Sequence, residues 1–274
     1  MKNNKRPIGV FDSGLGGLTV VKSITRLMPN EDIIYFGDTA HVPYGTRTRE
    51  QIMQYVMNDV RFLNLFDIKA IVFACNTADA VARTAVEEKY PLPVFGVVSP
   101  AARAAALATK NNRVGIICTN ATVASGAYER EIKRFNSEIS VFSEACPLLV
   151  PLVEDGRFQK GDVVLEGALT EYLGYMREKD VDTLVLGCTH YPLIRDNIER
   201  IYPGLRIINP SEEIVLRISE ILNDSDMLAS GEARAEDSIF YASDLSENFV
   251  NMIDKIFEGH PRVEFKNLDI DLID

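Results

Sequence analysis

The chain has 274 residues, of which 46% are hydrophobic and 25% are charged, and its formal net charge is −11. This length allows one large or two ordinary domains, and the acidic balance argues against general affinity for nucleic acid or an anionic membrane surface. The apolar stretch before Asp12 is too short for a signal-peptide core, and no run approaches the length of a membrane span. We therefore expect a cytoplasmic protein whose four cysteines stay reduced.

Short β-branched runs alternate with helical stretches along the chain. The predicted strands are Ile8–Phe11, Ile33–Phe36, Ala70–Ala74, Val94–Val97, Val114–Cys118, Ile139–Ser143, Thr183–Leu186, Leu205–Ile208 and Ser238–Ala242. The predicted helices are Gly17–Met28, Arg49–Leu65, Ala78–Lys89, Ala101–Ala108, Val123–Phe135, Val163–Glu178, Leu193–Ile201, Glu212–Leu222 and Ser246–Phe257. Apolar strands that alternate with helices are typical of parallel sheets covered on both faces, so the pattern predicts an α/β fold.

Parts of this pattern occur twice, which predicts two α/β domains of common design. Residues 7–13 align with residues 113–119, and other pairs of segments recur in the same order at similar offsets. The tail is too short to form a third domain, so we expect it to pack on the first. The predicted domains are 1–98 plus 209–274, and 99–208.

The repeat includes two cysteines in matching positions. The apolar run 70–74 ends in Cys75, and the matching run 183–187 ends in Cys188, each followed by small polar residues. A buried free cysteine often only fills space, but two thiols at matching strand ends favour a reaction in which one group takes a proton and the other gives one. The pair predicts an enzyme.

Polar clusters follow several predicted strands, where open α/β sheets bind ligands. The clusters are Asp12-Ser13-Gly14, Tyr44-Gly45, Cys75-Asn76-Thr77 and Cys188-Thr189-His190, and each precedes a helical stretch. Free backbone N–H groups at helix starts and nearby hydroxyl groups bind carboxylates, so the clusters predict a small anionic ligand. A thiol is mostly protonated at neutral pH, and we expect Asp12 to assist Cys75 and His190 to assist Cys188.

A dinucleotide site is an alternative interpretation of the first cluster. Gly14-x-Gly16 after a strand resembles the dinucleotide fingerprint, and Asp38 follows the next strand as a ribose-binding acid would. However, Thr19 occupies the third glycine position, and Asp12 would face the pyrophosphate. Both features argue against nicotinamide or flavin binding.

Two further cofactor classes are disfavoured. Cys188-x-His190 with Cys75 offers three metal ligands, but no tight Cys-x-x-Cys or His-x-x-x-His pairing supports a metal site. Pyridoxal phosphate needs a lysine placed to form a Schiff base, and no lysine ends a predicted strand. We therefore expect neither a metal nor a cofactor.

Four motifs in order resemble those of glutamate racemase, within the aspartate/glutamate racemase superfamily. They are the runs at 9–20, 37–45, 75–78 and 186–192, and the resemblance extends to about Leu222. It implies a cofactor-independent racemase with two pseudo-symmetric, three-layer domains of mostly parallel sheets and an active site in the cleft between them. His41 departs from the family, which more often has arginine there, and Cys118 is also less usual in its motif.

The resemblance also implies roles for individual residues. Cys75 and Cys188 would be the two proton-transfer groups, with Asp12, His190 and Glu154 in the catalytic set. The substrate, glutamate, would contact Asp12, Ser13, Tyr44, Gly45, Asn76, Thr77, Thr189 and His190, with Thr119 and Thr122 as further carboxylate donors. The expected role is supply of D-glutamate for peptidoglycan, and the expected assembly is a homodimer. An aspartate racemase and a two-domain amino-acid-binding protein without turnover remain alternatives.

Overall fold

The computed structural model describes residues 4–230, 238–245, 250, 253 and 262–268. The strands are β1 (Ile8–Asp12), β2 (Ile33–Gly37), β3 (Ala70–Phe73), β4 (Val94–Gly96), β5 (Arg113–Cys118), β6 (Ser140–Ala145), β7 (Thr183–Gly187), β8 (Arg206–Ile208), β9 (Ile239–Ala242) and β10 (Arg262–Phe265). The helices are α1 (Leu18–Leu27), α2 (Arg49–Leu63), α3 (Asn76–Lys89), α4 (Val98–Ala108), α5 (Asn120–Ser125), α6 (Ala127–Phe135), α7 (Leu149–Glu154), α8 (Val163–Glu178), α9 (Arg195–Ile201) and α10 (Pro210–Asp224).

Two parallel sheets organise these elements. The six-stranded sheet has the order β10-β9-β2-β1-β3-β4, and the four-stranded sheet has the order β6-β5-β7-β8. In the first sheet Ile8 is paired with both Ile33 and Ala70, which places β1 at its centre. The tail after Pro210 returns to this sheet, because β9 pairs with β2. The α/β class with parallel sheets is therefore confirmed, and so is the expected return of the tail.

The predicted elements differ from the observed ones mainly where two helices are interrupted. The predicted helix Val123–Phe135 is divided into α5 and α6 by Gly126, whose φ of 63° is left-handed. The predicted helix Leu193–Ile201 begins as a 3₁₀ turn, Tyr191–Ile194, before α9. The predicted helix Ser246–Phe257 lies outside the described residues except for positions 250 and 253, which are helical.

The central strands of each sheet are buried on both faces, as their apolar sequences predict. Side chains alternate along β1, so Val10 packs with α1 and α10 while Phe11 packs with α2 and α3. In the second sheet, α4 and α6 pack on one face and α7, α8 and α9 on the other. Among the described residues no helix is long and apolar enough to cross a bilayer.

The chain passes between the sheets near the start of α4, where Asp79 makes a connecting contact. The Val98 backbone N–H donates to Asp79 Oδ2 at 2.7 Å, so a carboxylate on α3 holds the first turn of α4. A Cβ added to Gly96 would lie 2.1 Å from Asp79 Oδ1. The close packing links this crossover to α3, the helix that begins directly after Cys75.

Candidate active site

Cys75 lies at the end of β3 and at the start of α3. Its Sγ accepts the Ala78 backbone N–H at 3.5 Å and lies 3.6 Å from Ser13 Oγ. Burial, with the negative charge of Asp12, raises the pKa of the Cys75 thiol to about 12, although the bonds from Ala78 and Ser13 act in the opposite direction. The sequence predicted help from Asp12, but the direct hydrogen-bond partner is Ser13.

Cys188 follows β7 and has a different set of partners. Its Sγ lies 3.6 Å from His190 Nδ1, and His190 Nε2 donates to Glu154 Oε1 at 2.5 Å. Burial opposes a charge on His190, but the hydrogen bonds to Cys188 and Glu154 and their negative charges raise the pKa of His190 well above its usual value. His190 therefore lies between a sulfur and a carboxylate that both favour its protonated form. The residue predicted to assist Cys188 thus lies within 3.6 Å of its sulfur.

Asp12 connects the strand ends of the two sheets. Its fully buried carboxylate accepts the Gly14 backbone N–H at 2.9 Å and the Thr189 hydroxyl at 3.3 Å. Burial raises the pKa of Asp12, and the positive charge of His190 opposes that rise. Gly16 permits this approach, because an added Cβ would lie 2.2 Å from Thr189 Oγ1 and 2.7 Å from His190 Nδ1.

A cluster of hydroxyl groups lies beside the start of α3. Thr77 Oγ1 is 2.9 Å from Thr119 Oγ1 and 3.3 Å from Thr122 Oγ1, and the latter two are 3.0 Å apart. Asn76 is oriented by the Tyr128 hydroxyl, which donates to Asn76 Oδ1 at 2.5 Å. Among the described residues the buried Asn76 Nδ2 has no hydrogen-bond partner, so it is a donor available to a ligand.

The Tyr44–Gly45 turn borders the same cluster. The Tyr44 side chain is buried, and its hydroxyl lies 2.5 Å from Asp38 Oδ2 and 3.0 Å from Asp59 Oδ2. Because the phenol is turned toward these acids, the backbone of the turn is the part that can face a ligand. Gly45 packs closely against Thr119, the residue that follows β5 of the four-stranded sheet: a Cβ added to Gly45 would lie 2.5 Å from Thr119 Cβ.

Comparison with known proteins identifies the family of this chain. A family model described as Asp/Glu/Hydantoin racemase matches residues 8–217. A glutamate racemase of Geobacter metallireducens is 44% identical over 255 residues, 93% of each chain. The chain belongs to the Asp/Glu/hydantoin racemase family.

Solved glutamate racemases share the fold of this family member over nearly the whole chain. The isoform RacE1 of Bacillus anthracis aligns with a TM-score of 0.91 at 34% identity, covering 98% of this chain and 100% of the other. The Francisella tularensis glutamate racemase in complex with D-glutamate aligns with a TM-score of 0.89 at 36% identity, covering 97% and 98%. The resemblance seen in the four motifs is confirmed, and so is the expectation of an isomerase of the racemase class.

The structure brings the predicted site residues of this racemase together in two linked groups. One group surrounds Cys75 and the other surrounds Cys188, and the contacts of Asp12 join them. The other two cysteines, Cys118 and Cys146, are buried free thiols with raised pKa values, mainly because of burial. In the described part of the chain no three His, Cys, Asp or Glu side chains are arranged to hold a metal ion.

Sequence reasoning did not identify Asp59 or Tyr128. Asp59 lies on the buried face of α2 among apolar positions, and an acid in an apolar helical stripe was the available signal. Tyr128 is one of several apolar residues facing the core from α6, and nothing in its local sequence indicates its bond to Asn76.

Proposed function

We propose that this racemase interconverts L- and D-glutamate by a two-base transfer of the α-proton, with Cys75 and Cys188 as the two bases. The observation that supports the proposal best is the pair of buried thiols at matching strand ends. Both are buried, with residue exposures of 5% for Cys75 and 7% for Cys188. Racemisation removes a proton from one face of the α-carbon and returns one to the other, and a single rigid base serves one face only.

The reaction needs one cysteine as thiolate and the other as thiol. The thiolate takes the α-proton, which breaks the C–H bond and leaves its electron pair on the substrate carbon. The opposite thiol then gives its proton to the other face, so the two cysteines exchange protonation states in each turnover. His190 Nδ1 lies 3.6 Å from the Cys188 sulfur, and Glu154 orients His190. Burial excludes water that would solvate the carbanion-like transition state and its bases.

Neutral donors are proposed to hold the two carboxylates of glutamate. Asn76 Nδ2 supplies an unsatisfied donor, and the start of α3 and the Thr77 hydroxyl add further ones. Ser13, Thr189 and the Tyr44–Gly45 backbone complete the contacts, while Asp12 and His190 face the ammonium and carboxylate ends. Glutamate as the substrate is supported by two relatives, since the Francisella tularensis racemase was solved in complex with D-glutamate and the Escherichia coli racemase in complex with L-glutamate.

The proposal extends to domain organisation and physiological role. The two domains are 1–98 plus 209–274 and 99–208, joined at the crossovers before α4 and α10, and the active protein is a homodimer. The D-glutamate product is used for peptidoglycan. The corresponding test supplies cells with isotope-labelled L-glutamate, and the label should appear as D-glutamate in peptidoglycan only when this racemase is active.

The decisive experiment measures exchange and racemisation separately. Purified protein is incubated with L- or D-glutamate in deuterated water, and α-deuterium and optical rotation are followed. Cys75→Ser and Cys188→Ser are expected to reduce racemisation about a thousandfold or more, while glutamate still binds. Each variant can retain exchange on one enantiomer, and the enantiomer should differ between them.

A matched control is Cys146→Ser, since this buried thiol already donates to the Glu144 carbonyl at 3.6 Å and a hydroxyl can do the same. It should racemise at the wild-type rate. Racemisation by Cys188→Ser at near the wild-type rate would exclude the two-thiol mechanism. Faster turnover of aspartate than of glutamate would overturn the proposed substrate but not the proposed two-thiol mechanism.

A further inference from the structure

Two buried acids in this protein share one hydroxyl group. The Tyr44 hydroxyl lies 2.5 Å from Asp38 Oδ2 and 3.0 Å from Asp59 Oδ2. All three side chains are buried, with residue exposures of 2% for Asp38 and 1% for Tyr44 and Asp59. A phenol carries one hydrogen and an ionised carboxylate carries none. Two hydrogen bonds on one hydroxyl therefore require a second proton, and one of the acids must hold it.

Contacts around Asp38 indicate that it is the ionised partner. His41 Nδ1 lies 2.8 and 2.9 Å from its two oxygens, and the Ser243 hydroxyl donates to Oδ1 at 2.8 Å. Ser243 Oγ itself accepts the Ala40 backbone N–H, so its own hydrogen is directed at Asp38. With Tyr44 donating to Oδ2, each oxygen of Asp38 accepts one hydroxyl hydrogen. An acceptor-only carboxylate fits this arrangement.

The surroundings of Asp59 favour the neutral acid. Burial raises the pKa of Asp59 well above its usual value, the charge of Asp38 adds to the rise, and the hydrogen bond to Tyr44 opposes it. Tyr44 keeps its own proton as well, because burial and the two nearby acids raise its pKa. The proton count and these shifts point to the same acid.

We propose that Asp59 is a protonated carboxylic acid that donates its hydrogen to Tyr44, and that Asp59 is thereby a positioning residue for the Tyr44–Gly45 turn. In this assignment Tyr44 donates to Asp38 Oδ2, and the Tyr44 oxygen accepts the Asp59 hydrogen across the 3.0 Å contact. The inference rests on the proposed role of this turn in binding glutamate. It does not depend on which residues transfer the α-proton.

The position of the turn matters because the turn packs without spare room. A Cβ on Gly45 would lie 2.5 Å from Thr119 Cβ, and Thr119 Oγ1 is 2.9 Å from Thr77 Oγ1 in the hydroxyl cluster. A turn released from Asp59 moves either into Thr119 or away from it. Either displacement disturbs donors proposed for the substrate carboxylates, so the effect should appear in KM more than in kcat.

The proposal has a definite pH dependence. When Asp59 loses its proton, two negative carboxylates compete for the single hydrogen of Tyr44. The groups that act on Asp59 are Asp38 and Tyr44 from the loop after β2 and Asp12 from β1, with His41 bound to Asp38. Asp59 lies on α2, whose Tyr55 stacks on His41 with ring centroids 4.2 Å apart. Deprotonation of Asp59 should therefore raise the KM for glutamate as the pH is increased.

Two variants test whether Asp59 acts as a hydrogen-bond donor or only fills space. Asp59→Asn keeps the size and supplies an N–H donor that cannot titrate, so its KM should match the wild type at neutral pH and stay flat at alkaline pH. Asp59→Leu keeps a similar volume but removes the donor, and its KM should rise about tenfold, the loss expected for one buried hydrogen bond, with kcat nearly unchanged. An alkaline rise in KM for Asp59→Asn that equals the wild-type rise would overturn the proposal.

An infrared measurement provides a readout that is independent of activity. The difference spectrum of wild type minus Asp59→Asn at neutral pH should contain the carbonyl band of a protonated carboxylic acid, because bands from other buried acids cancel. A difference spectrum that contains carboxylate bands instead refutes the proposal, even if Asp59→Leu fails to fold. Retained racemisation in the cysteine variants would not alter either result, so failure of this inference is distinguishable from failure of the two-thiol mechanism.

Discussion

Replacement of Asp79 by asparagine should stabilise the protein at alkaline pH. Asp79 is 5% exposed, and its Oδ2 accepts the Val98 backbone N–H at 2.7 Å. Arg83 Nε lies 3.3 Å from Oδ1 as an ion pair, but it is not aligned for a hydrogen bond. Burial raises the pKa of Asp79 to about 6, although the charge of Arg83 and the bond from Val98 oppose the shift.

The magnitude follows from the size of this shift. A rise from 3.8 to about 6 is about two pK units, and each unit corresponds to about 1.4 kcal/mol. A raised pKa means that the folded state favours the protonated acid. This preference contributes to the free energy of unfolding at pH values below about 4, the unfolded pKa. The contribution is lost as the pH rises through the folded pKa of about 6. Asp79→Asn removes the ionisation but keeps an oxygen acceptor for Val98. At pH 8 it should exceed the wild type by up to about 3 kcal/mol.

Urea denaturation at about pH 8 and about pH 4, followed by circular dichroism, measures this difference. The gap between variant and wild type should nearly close at the lower pH. Asp67→Asn is the control, since the Asp67 side chain is 83% exposed and its variant should stay within about 0.5 kcal/mol of the wild type. A gap at pH 8 below about 1 kcal/mol, or one that does not change with pH, would refute the reasoning.

Two further predictions concern the active site. Gly16→Ala should lower kcat/KM about tenfold or more, because its Cβ would lie 2.2 Å from Thr189 Oγ1. The control is Gly174→Ala, which should keep wild-type activity because nothing lies within 4 Å of its added Cβ. Glu154→Gln should move the alkaline limb of the kcat/KM pH profile to lower pH, because the bond and charge of Glu154 raise the pKa of His190; an unchanged profile would show that Glu154 does not set the charge of His190.

Strands were predictable from sequence because buried parallel strands are continuous apolar runs. Each predicted strand is present, with ends displaced by one or two residues. The strand Arg262–Phe265 was missed because it is short and carries alternating charges. The helix Leu149–Glu154 was not predicted; it has only six residues, and Pro151 lies in its first turn, where proline is tolerated.

The candidate site was predictable in part. The internal repeat and the polar residues after each strand identified Cys75 and Cys188, while Glu154 was assigned only through the resemblance to glutamate racemases. Tyr128 and Asp59 were not found, because their contacts join residues distant in sequence. Tyr128 contacts Asn76, 52 positions away, and Asp59 contacts Tyr44, 15 positions away. Such contacts depend on how elements pack, and one sequence without relatives contains no direct signal for them.

The two thiols occupy matching places in a repeated framework, but they are not chemically equivalent. The helix that follows Cys75 begins at once, so the sulfur caps it and has a neutral hydroxyl, Ser13, as its side-chain partner. Cys188 is followed instead by His190 and a 3₁₀ turn. One ring nitrogen of His190 lies against the sulfur, and the other is hydrogen-bonded to Glu154. The repeat thus fixes where the two sulfurs stand, and the residues after each strand give them different hydrogen-bond partners. If both thiols transfer the α-proton, the two directions of racemisation should differ in their dependence on pH.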